Sequence, residues 1–269
     1  MPELPEVEVA RRHLEAWSRD RTILRARVPK SRVIGKQSPA KIAKFLSGRT
    51  IESVERKGKS ILVRLSDRGA LHLHLGMTGE ILLAPTDARH VRLELLLDDD
   101  NRVLFDDPRM FGRVAAGPWT ELHKKYFLTL GPDPMQEDFT PSELIGILQK
   151  SRRPIKLLLL DQAKIAGVGN IYASEALWRA KIDPMLPARS VDSRRVKALL
   201  AAIRKTMNDS LVRLLGGEKY LSAGGENHFQ IYGREGDPCP RCRSEIIRYE
   251  LAGRSTYWCR TCQIAAHRS

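Results

Sequence analysis

The sequence predicts an α+β protein: an antiparallel β-sandwich with flanking helices in the first half, helices in the second, and a small cysteine-bearing module at the end. Three observations carry this. From about Thr22 to Val114 apolar and polar residues alternate in short runs, the period of half-buried strands. Beyond Thr140 the apolar spacing becomes helical. All four cysteines fall between Cys239 and Cys262.

The elements follow in order. Val7, Ala10, Leu14 and Trp17 share one helical face over residues 5–17. Glu6 and Glu8 lie near the start of that helix and Arg11 and Arg12 further on, which suits its dipole. A second helix over Pro39–Leu46 interrupts the strands. Ile61, Val63 and Leu65 alternate with Leu62, Arg64 and Ser66, and Val91, Leu93, Leu95 and Leu97 with Arg92, Glu94 and Leu96. Asp99-Asp100-Asn101 reads as a hairpin turn into Arg102–Phe105. Gly131-Pro132-Asp133-Pro134-Met135 reads as a linker. Thr140-Pro141-Ser142-Glu143 is a capping box with proline at the first helical position. An apolar helix is expected over Pro154–Asp161, then a glycine loop, Gly167-Val168-Gly169-Asn170, and a helix over Ile171–Arg179. A long helix over Asp192–Leu215 carries the stripe Val196, Leu199, Leu200, Ile203, Met207, Leu211 and Leu214. Residues 216–230 form a glycine-containing loop before the cysteine module. The expected domains are 1–130, 131–230 and 231–269, with no internal repeat or low-complexity tract.

A net charge of +14, spread along the chain, suits a polyanionic partner, with nucleic acid ahead of an acidic membrane surface. Hydrophobic residues make up 42% of the chain, which is enough for a real core. No apolar run approaches the roughly 18 residues of a membrane span, and no signal-peptide pattern is present, so a cytoplasmic protein is expected. Cys239, Cys242, Cys259 and Cys262 form C-x2-C-x16-C-x2-C, a zinc spacing. Four sulfur ligands close a tetrahedral shell and leave no position for water, so one structural Zn²⁺ is expected.

The chain opens Met1-Pro2-Glu3-Leu4-Pro5-Glu6-Val7-Glu8. Removal of Met1 would leave Pro2 as a free secondary amine. An α-amino group titrates at roughly 7.7–8.0 and is partly neutral and nucleophilic near neutral pH. Such an amine attacks a carbonyl-like carbon to give an iminium, with Glu3 beside it as general acid or base. The plain alternative is an ordinary helix entry with Pro5 early in the helix.

Six motifs carry a family likeness across essentially the whole chain: this opening, His74-Leu75-Gly76-Met77-Thr78-Gly79, Asp107-Pro108-Arg109-Met110-Phe111-Gly112, Gly167-Val168-Gly169-Asn170-Ile171-Tyr172-Ala173-Ser174-Glu175, Tyr232-Gly233-Arg234 and the four cysteines. In this order the chain resembles the bacterial formamidopyrimidine-DNA glycosylases, with Leu4 favouring that branch over the endonuclease VIII branch. The resemblance implies a helix–two-turn–helix domain, a zinc finger built on a β-hairpin, and double-stranded DNA with oxidised bases or abasic sites bound in a cleft between the halves of a monomer. It implies a glycosylase for oxidised purines with β,δ-elimination lyase activity. Pro2 would be the nucleophile, Glu3 the acid that opens the sugar, and Lys59 a phosphate-binding and supporting catalytic group. Met77, Arg109 and Phe111 would fill the void left by a flipped base. His90, Asn170 and Arg260 would contact DNA. The 216–230 loop departs from the family's commoner pattern. Other readings are an oxidised-pyrimidine glycosylase, a non-catalytic damaged-DNA binder and a zinc-ribbon RNA-binding protein. Retention of both Pro2 and Glu3 argues against a binder alone.

Overall fold

The computed structural model describes residues 2–218 and 227–264. The chain forms two compact units, Met1–Leu130 and Gly131–Ser269.

The first unit begins with helix α1 (Leu4–Ser18). Eight strands follow: β1 (Ile23–Arg27), β2 (Ile51–Lys57), β3 (Ser60–Leu65), β4 (Gly69–His74), β5 (Glu80–Leu83), β6 (Val91–Leu97), β7 (Arg102–Asp106) and β8 (Arg113–Pro118). Helix α2 (Pro39–Leu46) lies between β1 and β2, and α3 (Trp119–Tyr126) follows β8. The strands form two four-stranded antiparallel sheets in the orders β1-β6-β7-β5 and β2-β3-β4-β8. One buried cluster draws on both, uniting Ile23, Leu95 and Phe105 with Leu65 and Leu73, and adding Leu14 of α1 and Leu46 of α2. This is the sandwich core; each such side chain contributes about 1.5–3 kcal/mol by leaving water. The β6–β7 hairpin pairs Leu96 with Arg102, and Asp100 takes the left-handed turn position at φ 64°, one that aspartate tolerates.

The strand alternation does not reveal α3, and α3 alters the fate of β3. Leu62 shares a row with Arg64 yet is fully buried, because α3 covers that face. Leu122 and Phe127 pack there against Leu62, Ala70 and Ala115. Arg64 lays its guanidinium over Trp119, 3.8 Å from the ring centroid, a cation–π contact at the edge of the patch.

The second unit contains α4 (Pro141–Gln149), α5 (Ile155–Leu159), α6 (Asn170–Arg179), α7 (Ser193–Leu215) and a hairpin of β9 (Ile247–Leu251) with β10 (Arg254–Trp258). The capping box of α4 is formed: Glu143 N donates to Thr140 Oγ1 at 3.3 Å and Thr140 N to Glu143 Oε2 at 2.7 Å. The apolar helix after Pro154 is shorter than expected. It stops at Leu159, and Asp161 turns the chain by accepting from Ala163 N through Oδ1 at 3.1 Å and from Lys164 N through its carbonyl at 2.8 Å. Gly131–Met135 is no free linker. Gly131 N donates to Gln162 O at 2.9 Å, Ala166 N to Pro132 O at 2.9 Å, and Asp133 is fully buried. The α7 stripe is buried from Val196 to Met207 and half-buried at Leu211 and Leu214. Of the 216–230 loop, residues 219–226 lie outside the described residues. No helix among the described residues is long and apolar enough to cross a membrane.

Candidate active site, nucleic-acid interface and metal centre

Pro2 is half-buried and Glu3 fully buried at the head of α1. Glu3 is the N-cap, in extended conformation, and forms a capping box with Glu6; its own N–H donates to Glu6 Oε2 at 2.8 Å. The helix entry and the placed carboxyl group are therefore one structure. Glu8 anchors this helix to the sandwich, accepting from Arg11 at 3.0 Å, Arg12 at 2.9 Å and Arg56 of β2 at 2.8 Å. Burial alone would raise its carboxyl, but the three arginines outweigh burial and hold it at about 2.

Two lysines flank Gly58, which takes φ 56° in the β2–β3 turn. Lys57 Nζ donates to Phe127 O at 3.1 Å and so braces α3. Lys59 is half-buried, one residue before Ser60, which pairs with His74 across β3 and β4. Burial, then the charges of Lys59 and Arg113, lower the His74 imidazole to about 4. Gly76 N donates to His74 Nδ1 at 3.0 Å, so the neutral ring carries its proton on Nε2. Sequence reasoning assigned no role to His74, although it opens the second motif.

Met77 and Phe111 are 38% and 46% exposed, and Arg109 is exposed beside them in sequence. Their loops touch backbone to backbone. A Cβ on Gly76, at φ 64°, would lie 2.4 Å from the Phe111 carbonyl carbon, so only glycine fits. Buried Asp107 braces both loops, accepting from Thr78 Oγ1 at 2.7 Å and from Gly112 N at 2.7 Å. His90, exposed, is fixed to the same place: its N–H donates to Asp106 Oδ1 at 2.6 Å, and its carbonyl accepts from Asp107 N at 3.1 Å. Met110 turns inward at φ 54° and packs on the core, leaving Arg109 and Phe111 exposed on either side of it. The Asp107–Thr78 brace was missed, though both residues lie in the motifs.

In the second unit Gly169, not Asn170, is the N-cap of α6; Asn170 is the first helical residue. Its side chain serves the hairpin instead, Nδ2 donating to Ser255 O at 3.0 Å, while its buried Oδ1 has no partner among the described residues. Lys156, fully buried, donates to the same carbonyl at 2.8 Å and to Thr256 Oγ1 at 2.9 Å. It reads in sequence as an ordinary lysine in an apolar run. Glu175, also buried, accepts from three consecutive amides, Gln230 at 3.0 Å, Ile231 at 2.8 Å and Tyr232 at 2.9 Å. Burial pushes its carboxyl up, against the pull of those amides. Tyr232 thereby meets Tyr257 edge-on at 5.0 Å. Arg260 is exposed in the last cysteine knuckle.

The four cysteine sulfurs all lie within 4.8 Å of one another. Trp178 Nε1 donates to Cys239 Sγ at 3.5 Å, packing the cluster on α6. Hydrogen bonds from Ser244 hold Cys242 down to about 6, whereas burial and then the neighbouring thiols push Cys262 up to about 12. Four sulfurs this close cannot all ionise without a cation among them. An all-sulfur set fits one structural zinc, held by Cys239, Cys242, Cys259 and Cys262.

Family models match along the chain. The formamidopyrimidine-DNA glycosylase N-terminal domain matches residues 1–114, the formamidopyrimidine-DNA glycosylase H2TH domain 130–219, and a zinc finger found in FPG and IleRS 236–264. The chain is 41% identical to formamidopyrimidine-DNA glycosylase of Chloroflexus aurantiacus over 278 residues, covering 98% of each. The Thermus thermophilus protein of that name is 40% identical, again with 98% of each covered. Among solved structures, the MutM (FPG) protein of Thermus thermophilus superposes with a TM-score of 0.83 at 37% identity, covering 97% of this chain and 98% of that one. Lactococcus lactis Fpg (MutM) in complex with N7-benzyl-Fapy-dG DNA gives 0.86 at 34%, covering 97% and 99%. By its sequence over its whole length and by its fold, the chain belongs to the formamidopyrimidine-DNA glycosylase family.

Proposed function

We propose that this chain is a base-excision-repair enzyme that removes oxidised purines from double-stranded DNA and then cuts the strand at the abasic sugar. The observation that carries this reading is the buried Glu3 carboxyl one peptide from the Pro2 nitrogen, at the head of a firmly anchored helix. Complexes of relatives with Fapy-dG, carbocyclic 8-oxo-G and abasic DNA support it.

In this reading the Pro2 nitrogen bonds to C1′ as the bond to the base breaks, and the base leaves with a proton. Glu3 protonates the ring oxygen, the sugar opens and an iminium forms. The iminium acidifies the C2′ proton; loss of that proton and of the 3′ phosphate is β-elimination, and loss of the C4′ proton, acidified in turn through the new double bond, with the 5′ phosphate is δ-elimination. Lys59 and neutral His74, through Nε2–H, hold phosphate at the reacting nucleotide. Met77, Arg109 and Phe111 fill the vacated stack, and His90, Asn170 and Arg260 contact the backbone. Zinc on the four cysteines would hold the knuckle that carries Arg260. The enzyme works as a monomer, in the cytoplasm on nucleoid DNA.

One observation favours a second substrate class: a Lactococcus lactis Fpg complex holds DNA containing an oxidised pyrimidine, at 34% identity to this chain. The test is borohydride trapping on an 8-oxoguanine:cytosine duplex with an oxidised-pyrimidine duplex in parallel. A covalent adduct mapped to Pro2 is expected, stronger on 8-oxoguanine. Absence of any adduct from protein lacking Met1 would overturn the catalytic reading in favour of a damaged-DNA binder.

A further inference from the structure

Arg32 lies far in sequence from every motif of the site, in a short 3-10 turn over Arg32–Ile34. Its side chain nonetheless makes three contacts with the Arg109–Phe111 segment. Nε donates to Met110 O at 2.7 Å, one terminal nitrogen donates to Arg109 O, and the guanidinium carbon sits 4.7 Å from the centroid of the Phe111 ring. The guanidinium of Arg109 lies at the same distance from that ring. We propose that Arg32 is a positioning residue that holds the Arg109–Phe111 wedge in its inserting conformation before DNA arrives; this rests on the wedge role given to Arg109 and Phe111 above.

The segment needs such a support. Met110 adopts φ 54°, a left-handed backbone that a residue with a side chain takes up reluctantly. That conformation sends Met110 into the core and leaves Arg109 and Phe111 exposed on either side of it. Asp107 and Gly112 fix the two ends of the loop, since Gly112 N donates to Asp107 Oδ2. The carbonyls of Arg109 and Met110, at its crest, are held by Arg32. Two adjacent carbonyls and an aromatic face call for a planar fork with a stacking surface. Arginine offers both, whereas a lysine ammonium is a point donor without a plane. A wedge already in place at encounter loses less conformational freedom on insertion, and so speeds base extrusion more than it alters chemistry on an abasic sugar.

The test uses the full-length zinc-loaded protein with Arg32→Ala and Arg32→Lys. Hydrogen–deuterium exchange of the DNA-free protein comes first, because it does not depend on any enzymatic reading. Amides of residues 107–112 are expected to exchange at least fivefold faster in Arg32→Ala, with the strands of both sheets unchanged. Single-turnover base release from an 8-oxoguanine duplex is then compared with cleavage of a preformed abasic site in a single strand. Base release should fall tenfold or more relative to abasic cleavage, and Arg32→Lys should recover only part of it. Unchanged exchange at 107–112 overturns the proposal, and so does an equal loss in both reactions, which marks a plain phosphate contact. Failure of the unsubstituted protein to release the base at all would instead sink the glycosylase reading and leave the exchange result to decide the role of Arg32.

Discussion

Replacing Glu175 with glutamine tests whether one buried carboxylate positions the segment that follows the variant loop. Its two oxygens accept from the amides of Gln230, Ile231 and Tyr232. A glutamine that keeps its carbonyl on Ile231 and Tyr232 must turn its NH₂ toward the Gln230 N–H, donor against donor. The reverse orientation loses two bonds. The cheaper choice leaves the Gln230 N–H facing another donor and weakens the other two bonds, and an unsatisfied buried donor costs about 1–3 kcal/mol. A loss of about 3 kcal/mol is expected, well within the roughly 5–15 kcal/mol that a folded protein has available. The assay is urea unfolding followed at the second unit, with zinc content as control and lesion-duplex affinity measured on the same preparations. Tyr232 is edge-on to Tyr257 in the hairpin, so affinity should fall about tenfold along with stability. A stability loss under about 0.5 kcal/mol would refute the energetic argument. Lost stability with unchanged lesion affinity would refute the positioning argument.

Other outcomes follow from the same structure. His72 is 1% exposed, stacks on Tyr126 at 3.6 Å, and is lowered to about 3 by burial and then by His74, Arg113 and Lys125. The unfolded chain therefore takes up this proton first, so stability is full above about 6.5 and lost as pH falls toward the folded value. His72 should account for about 2 kcal/mol of the loss at pH 5, so urea curves at pH 7.5 and 5 should show a loss smaller by about that amount in His72→Phe than in the natural protein, the remainder coming from the similarly lowered His74. Asp107→Ala should cost about 3 kcal/mol by orphaning Gly112 N and Thr78 Oγ1. Asp107→Asn should recover most of it, since its carbonyl can serve Gly112 and its amide can donate to the hydroxyl; equal melting of both variants would exclude the brace. Removing zinc with a chelator, or changing Cys239 to serine, should weaken DNA binding at least tenfold while the first unit's unfolding transition stays in place. Tight binding by metal-free protein would show the finger is dispensable.

Much of the fold could be read from the chain alone because it is written locally. Strand alternation, the Thr140–Glu143 capping box, the α7 stripe and the cysteine spacing all relate residues a few positions apart. So do the glycine-flanked loops that favour exposure of Met77 and Phe111, both exposed here; a role for them and Arg109 came only from the resemblance. Tertiary structure decided what local period cannot carry. It separated Lys57 from Lys59, identical in chemistry, by giving Lys57 the carbonyl of Phe127, 70 residues away. It buried Leu62 under a helix that begins more than fifty residues later. It placed Arg32 against a loop 78 residues distant, and Lys156 against Thr256, 100 residues on. A buried charge is tolerated only where specific partners meet it. Those partners are brought together by the packing of the core and not by their order along the chain.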